Sequence, residues 1–233
     1  MRKTYITGHS YDLFFIFYII LVSLLLQSCS GVFHDHNLGK RPLPNLGSIA
    51  VLPMDRASIK PGQEKATCAL SDTVFNASEI PYEVSANLSK VLVDMLKNDP
   101  RFKPVPEGQC VGFLNAFLKA DIKASQIRLI QSFGKELGAD AVLYGKLFRF
   151  DERVGSAYSA QRPASVAFTL HLIRTSDGAI LWHYDFDETQ KPLTENILNT
   201  RLYRKSGLKW LTAEELAKYG LSEATRELER RLP

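Results

Sequence analysis

"SVAFTLHLIRTSDGAILWHYDF", Ser165 to Phe186, contains two runs of alternating apolar and polar residues separated by a short turn sequence. Alternation of this kind predicts two antiparallel strands joined as a hairpin, because successive side chains of a strand point to opposite faces. A two-residue turn would pair Leu172 with His183 and misalign the apolar rows. A three-residue turn with Gly178 in the left-handed conformation pairs Leu172 with Trp182 instead.

The preferred register assigns each side chain of the hairpin to one face of the sheet. Leu170 then pairs with Tyr184 and Phe168 with Phe186, which extends an apolar row on the side of a core. The opposite face is half polar and carries Thr169, His171, His183 and Asp185. One face of the hairpin is therefore suited to a core, and the other to polar contacts.

Further strands are predicted on the N-terminal side of this hairpin. "ADAVLYGKLFRF" (139–150) has the same alternation and adds a third antiparallel strand. "SIAVLPM" (48–54) and "RFKPV" (101–105) are short apolar runs typical of buried strands. The stretch between them includes a loop, residues 55–81, whose length indicates function or local order.

Helices are predicted from apolar residues at a spacing of three and four. One is marked by Val84 to Leu96, one lies near residues 110–119, and one is closed by Gly138. The last begins at Thr212 as N-cap with Glu215 at N3, and Gly220 is expected to interrupt it. The fold class is therefore α/β: two alternating β-α units, an antiparallel three-strand meander, helices on one face and a C-terminal helix.

The N-terminus predicts export and removal of a leader. The apolar run Leu13 to Leu26 has 14 residues and follows Arg2 and Lys3. It spans roughly 21 Å as a helix, which is short of a bilayer core of about 30 Å. Such an order of charges and apolar residues is typical of a secretory signal peptide.

"LQSC", Leu26 to Cys29, resembles the lipobox of bacterial lipoproteins. The resemblance implies cleavage before Cys29, acylation of its thiol and new amine, and stable anchoring by several acyl chains. Ser30, rather than Asp, implies sorting to the outer membrane with the domain on the periplasmic side. We therefore expect a signal peptide at 1–28, a lipidated Cys29 with a tether over 29–47, and one domain over 48–233.

Composition excludes some partners and suggests one covalent link. The formal net charge is +4, and the chain has no Lys/Arg-rich run able to follow a phosphate backbone, so nucleic acid is not expected as a partner.

Cys68 and Cys110 are the two cysteines besides Cys29. We predict a disulfide between them in an oxidising periplasm, with two buried thiols as the alternative. No cofactor and no metal are expected.

Several stretches in order resemble one family. "SIAVLPM", "DPRFKPV", "KELGADAVLYGKL" and the hairpin sequence are similar to envelope domains related to the N-terminal domain of TolB. Relatives include the penicillin-binding-protein activator LpoB and the curli-secretion lipoprotein CsgG. The resemblance implies a non-enzymatic α/β domain that docks to other envelope proteins.

Three functional hypotheses follow from these observations. The main one is a membrane-anchored, non-enzymatic lipoprotein that regulates or supports envelope assembly, with Tyr203 and Trp210 as candidate partner contacts. A second is a subunit of an oligomeric secretion channel resembling curli export. A third is a metal-dependent enzyme using His171 and His183, although the chain has no GxSxG, P-loop or GxGxxG motif.

Overall fold

The computed structural model describes residues 42–118, 123–191 and 209–233. The predicted signal peptide, Cys29, most of the predicted tether and Tyr203 lie outside these ranges. Within them the chain forms ten strands and four helices.

Four short strands, a helix, a fifth short strand and two helices come first along the described chain, and the longest strands follow. The strands are β1 (Ile49–Val51), β2 (Asp55–Arg56), β3 (Lys65–Thr67), β4 (Val74–Asn76), β5 (Phe102–Pro104), β6 (Ala141–Asp151), β7 (Val154–Gly155), β8 (Ala160–Arg162), β9 (Ser165–Arg174) and β10 (Ile180–Thr189). The helices are α1 (Tyr82–Leu96), α2 (Glu107–Leu118), α3 (Lys123–Glu136) and α4 (Ala213–Arg231).

Six of the strands form one mixed sheet. Its order is β10-β9-β6-β1-β5, and β2 also pairs with β6. β1 is parallel to both β5 and β6, whereas β6, β9 and β10 form an antiparallel meander. The predicted α/β fold with a mixed sheet and a C-terminal helix is confirmed. The β3–β4 and β7–β8 hairpins, which lie outside this sheet, were not predicted.

The hairpin register is the one derived from the side-chain faces. Trp182 pairs with Leu172, and the pairs Leu170–Tyr184 and Phe168–Phe186 follow. The predicted three-residue turn is wrong: the Arg174 amide donates to the Ala179 carbonyl, so four residues, 175–178, form the turn, and a bulge between Ile180 and Trp182 restores the register. Gly178 has φ of +75°, the left-handed conformation that glycine adopts without strain. The alternation of the sequence was therefore sufficient to fix this pairing.

The helices cover both faces of the sheet, so the prediction of helices on one face is wrong. Leu88 and Leu92 of α1 and Leu216 of α4 join one apolar cluster with Ile49 and Val51. Residues of α2 and α3 join a second cluster on the opposite face of β1, with Ala50 and Leu52. The physical reason is that β1 and β6 are apolar on both faces, so each face needs cover. No helix within the described ranges is long and apolar enough to cross a membrane.

Helix α4 begins as predicted but has no interruption. The Thr212 side chain accepts a hydrogen bond from the Glu215 amide, and the Glu215 side chain accepts one from the Thr212 amide. Gly220 lies within the continuous helix, and a Cβ atom there would come within 2.8 Å of the Phe186 ring. Its role is to let the helix approach the sheet closely, not to end a helix.

The buried guanidinium of Arg149 joins four segments of the chain. It donates to Ser165 Oγ at 2.7 Å on β9, to the Asn76 carbonyl at 3.0 Å on β4, and to Asp187 Oδ1 at 2.5 Å on β10. Ala167 of β9 pairs with Arg149 on one side and with Asp187 on the other. Its small side chain leaves room for the Arg149 side chain to reach Asp187 across β9. The β3–β4 hairpin is thereby fixed to the sheet.

The folded body begins before the predicted boundary at residue 48. Leu43 and Leu46 are buried in the core, and the Leu43 amide donates to the Arg231 carbonyl at 2.8 Å. The predicted tether over 29–47 thus overlaps the domain at its C-terminal end. The two leucines were missed because an isolated pair within a Pro- and Gly-containing stretch has no periodicity.

Candidate functional site

An open groove lies where the parallel strand β1 ends and α1 begins. We call it the α1 groove; its volume is about 370 Å³, and its lining includes Val51, Met54, Val93 and Val105 with the polar residues Asp55, Arg56, Tyr82, Lys90 and Glu107. The carboxyl ends of parallel strands are the usual place for ligand sites in α/β sheets, because the connecting loops diverge there.

The carboxylates beside the groove are both engaged by the chain's own side chains. Asp55 Oδ2 accepts a hydrogen bond from the Tyr144 hydroxyl at 3.0 Å and lies 3.6 Å from Lys146 Nζ. Glu107 accepts a hydrogen bond from the Tyr82 hydroxyl. That bond raises the pKa of Tyr82, and burial together with Asp55 raises the pKa of Tyr144 well above its usual value. Both tyrosines are therefore neutral donors at neutral pH.

The two cations that line the groove are available to a ligand. No ion pair joins Arg56 or Lys90 to a carboxylate within the described part of the chain. One Arg56 nitrogen, Nη1, donates to the Ile80 carbonyl at 2.7 Å, and the guanidinium lies 5.8 Å from the centre of the Tyr82 ring. These contacts hold the guanidinium in place while leaving its other nitrogens unused by them.

Arg56 also borders a second hollow. It has a volume of about 500 Å³, shares Asp55 and Arg56 with the α1 groove, and adds one charge of each sign, Lys60 and Glu79.

Sequence reasoning missed these residues. Asp55 and Arg56 follow β1 after Pro53 and belong to no periodic pattern, and Tyr82 and Lys90 lie on a helix predicted only from its apolar side. The length of the 55–81 loop was the available signal, and the groove lies beside its two ends.

The predicted juxtaposition of His171 and His183 is present. They pair across β9 and β10, and their ring centres lie 6.2 Å apart. His171 is fully buried, with its Nε2 4.0 Å from Cys68 Sγ, and burial lowers the pKa of His183. Among the described residues, no group of three or more His, Cys, Asp or Glu side chains has the geometry of a metal site.

The predicted disulfide between Cys68 and Cys110 is absent, and both thiols are free and buried. Cys68 Sγ packs against β9, 3.8 Å from Thr169 Oγ1. Burial raises the pKa of Cys110 to about 11. Since a disulfide forms by attack of a thiolate, burial of this thiol disfavours its oxidation.

Trp210, one of the two predicted partner contacts, is half-buried beside the β7–β8 hairpin. Its amide donates to the Ala157 carbonyl at 2.7 Å, and its carbonyl accepts from Arg153. On the same hairpin the Tyr158 side chain is 76% exposed. Trp210 therefore supports the hairpin, and Tyr158 is the more accessible aromatic side chain.

The direction of β1 distinguishes two ends of the described domain. At the first, where the chain enters the domain, the Leu43 amide donates to the Arg231 carbonyl, and Arg101 Nη1 donates to the Pro233 carbonyl at 3.0 Å. β1 starts there, because the Ile49 amide bonds the Arg101 carbonyl. The second, the groove end, is where β1 terminates; it contains the α1 groove, and β6 leads there into the β7–β8 hairpin. Helix α4, at 19 residues, runs between the ends over roughly 28 Å.

No protein-family model and no curated protein matches the chain. Solved structures do show similarity in the arrangement of helices and strands. The PelC dodecamer from Paraburkholderia phytofirmans is 13% identical with a TM-score of 0.45, covering 80% of this chain and 92% of that one.

An LpoB domain and a lipoprotein are also among these structures. The LpoB C-terminal domain from Salmonella enterica is 18% identical with a TM-score of 0.34, covering 73% of this chain and 93% of that one. Lipoprotein GNA1162 from Neisseria meningitidis is 15% identical with a TM-score of 0.36, covering 70% of this chain and 99% of that one. At these values the similarity concerns the fold and assigns no activity.

Proposed function

We propose that this chain is a non-enzymatic lipoprotein, anchored through Cys29 on the periplasmic face of the outer membrane, that docks to other envelope proteins with its groove end. The observation that carries the proposal is the position of Leu43. The chain enters the folded body where β1 starts, which we call the anchor end, so a lipid on Cys29 would hold that end toward the membrane and leave the α1 groove facing away.

The length of the tether sets the reach of this arrangement. Twelve residues, 30–41, separate Cys29 from the described body. Fully extended they span roughly 40 Å, and the domain adds about 28 Å along α4. The groove end would thus meet partners in the periplasm close to the outer membrane, or the periplasmic parts of membrane proteins.

The surface at the groove end supports docking in preference to chemistry. It combines an open groove with an apolar floor, two cations with no acidic partner of their own in the described residues, and the exposed aromatics Tyr82 and Tyr158. Aromatic and arginine side chains dominate the energetics of protein interfaces.

Site-specific photo-crosslinking in native envelopes tests the proposal. A photo-reactive amino acid is placed in the full chain at Glu83 or Tyr158, at the groove end, and at Asn98 or Ser176, at the anchor end. All four side chains are exposed. We expect defined crosslinks to a second protein from Glu83 and Tyr158 only. Absence of such crosslinks, or equal yields from Asn98 and Ser176, would contradict the proposal.

A further inference from the structure

We propose that the α1 groove binds an extended segment of the partner protein that carries a carboxylate beside an apolar side chain, with Arg56 and Lys90 as the residues that receive the carboxylate. This inference rests on the proposed docking function and adds the chemistry of the partner.

Charge complementarity is the first observation. Two cations, Arg56 and Lys90, and two carboxylates, Asp55 and Glu107, line the groove, with Lys146 and Glu83 beside it. The carboxylates accept hydrogen bonds from tyrosines, and Asp55 also has Lys146, whereas Arg56 and Lys90 have no recorded carboxylate partner in the described residues. An anionic group of the occupant supplies the missing partner.

Pre-organisation of Arg56 is the second observation. Its Nη1 is tied to the Ile80 carbonyl at 2.7 Å, and the guanidinium is placed near the Tyr82 ring. A guanidinium already held in position loses little conformational entropy on binding, and its planar array of donors matches a carboxylate.

The shape of the site indicates a chain segment. Val51, Met54 and Val93 provide an apolar floor next to the cations, which suits an aliphatic or aromatic side chain adjacent to the acid. Asp55 and Arg56 line both the groove and the neighbouring hollow of about 500 Å³, so the two openings adjoin at these residues. An acidic and apolar segment in extended conformation meets both requirements.

The test compares charge variants in the Glu83 crosslinking assay with the full chain. Lys90→Glu and Arg56→Gln, separately and together, remove the cationic character of the groove. Lys135→Glu is the matched control, because Lys135 is an exposed lysine at the end of α3, on the opposite face of the sheet. Thermal unfolding of each variant checks that it is folded, and Lys90→Glu keeps the test informative if Arg56→Gln is unstable.

We expect the double variant to reduce the crosslink yield roughly tenfold or more, with the Lys135→Glu yield unchanged. Sequencing of the crosslinked peptide should place Asp or Glu next to an apolar residue, and changing that acid to Lys should restore crosslinking to Lys90→Glu. Persistence of the crosslink in the folded double variant, or a crosslinked segment without an acid, would overturn the inference and leave the docking function standing. Absence of any protein crosslink from Glu83 and Tyr158 would overturn both.

Discussion

The backbone amide of Leu43 donates a hydrogen bond to the carbonyl oxygen of Arg231, 2.8 Å away, which ties the entry of the chain into the domain to the end of its last helix. Leu43 is also buried, so this entry point is part of the core. The α1 groove opens at the opposite end of β1. An anchor on the N-terminal side and a docking surface at the groove end are therefore compatible in one small domain.

Gly220→Ala is expected to destabilise the domain by about 1–3 kcal/mol, although alanine favours helices. The added methyl group would lie 2.8 Å from the Phe186 ring, and overpacking a core has costs of this order. Chemical denaturation at neutral pH measures the change in the free energy of unfolding.

Gly112→Ala is the matched control for Gly220→Ala. Gly112 also lies within a helix, α2, and a Cβ atom there meets nothing within 4 Å. Helix propensity then predicts a gain of up to about 1 kcal/mol. Equal effects of the two substitutions would contradict the assigned role of Gly220.

Asp187→Asn is expected to destabilise the domain more than Arg149→Met. The Arg149 side chain is only 7% exposed and loses its anionic partner in the first variant, whereas Asp187 is 45% exposed and is rehydrated in the second. A buried cation that keeps its hydrogen bonds to Ser165 and Asn76 but has no anionic partner costs about 1–3 kcal/mol or more. Denaturation of both variants and of the double variant gives the order, and a larger effect of Arg149→Met would count against this interpretation.

Cys68 and Cys110 are expected to remain thiols in protein purified without reductant. Both are buried, and burial raises the pKa of Cys110 to about 11, so the reactive thiolate is scarce. Maleimide should label neither in the folded protein and both after unfolding, as read by intact mass. Failure to label the unfolded protein until reductant is added would mean that the bridge predicted from the sequence exists.

The pKa of Asp177 is expected near 2 in a carboxyl-carbon NMR titration. Hydrogen bonds from Arg174 and from the Ala179 amide favour its ionised form. Because the pKa of Asp177 in the folded protein lies below its usual value of 3.8, the ionised group stabilises the fold above pH 4, and this contribution is lost as the pH falls through about 2. The stability difference between wild type and Asp177→Asn should therefore vanish below pH 2; a difference independent of pH would contradict the assignment.

The parts of the fold predicted from the sequence are those determined by periodicity or capping. The alternation around Gly178 fixed the β9–β10 register, and Thr212 with Glu215 fixed the start of α4. A helical spacing of apolar residues identifies a helix but not the face of the sheet on which it packs, so the placement of α2 and α3 was wrong. The role of Gly220 was predicted wrongly, because glycine is used both to interrupt helices and to allow a close contact such as the one with Phe186. The sequence alone does not distinguish these two uses.

The site was harder to predict than the fold for a related reason. His171 and His183 were brought together correctly, because strand register determines which residues face each other. Arg56 and Lys90 line the same groove only because α1 packs beside the end of β1. No sequence pattern predicts that packing. The even number of cysteines left beside Cys29 led to the prediction of a disulfide. A count of cysteines carries no information about their burial, so the prediction was wrong.

The proposed membrane attachment through Cys29 would set the orientation of the domain, and fractionation of a Cys29→Ser variant tests it. We expect the serine variant to accumulate as unprocessed precursor, to lack the mass of added acyl chains, and to be missing from outer-membrane fractions that contain the wild-type chain. Normal processing of the variant together with unchanged sedimentation in the outer-membrane fraction would show that the thiol of Cys29 does not anchor this protein.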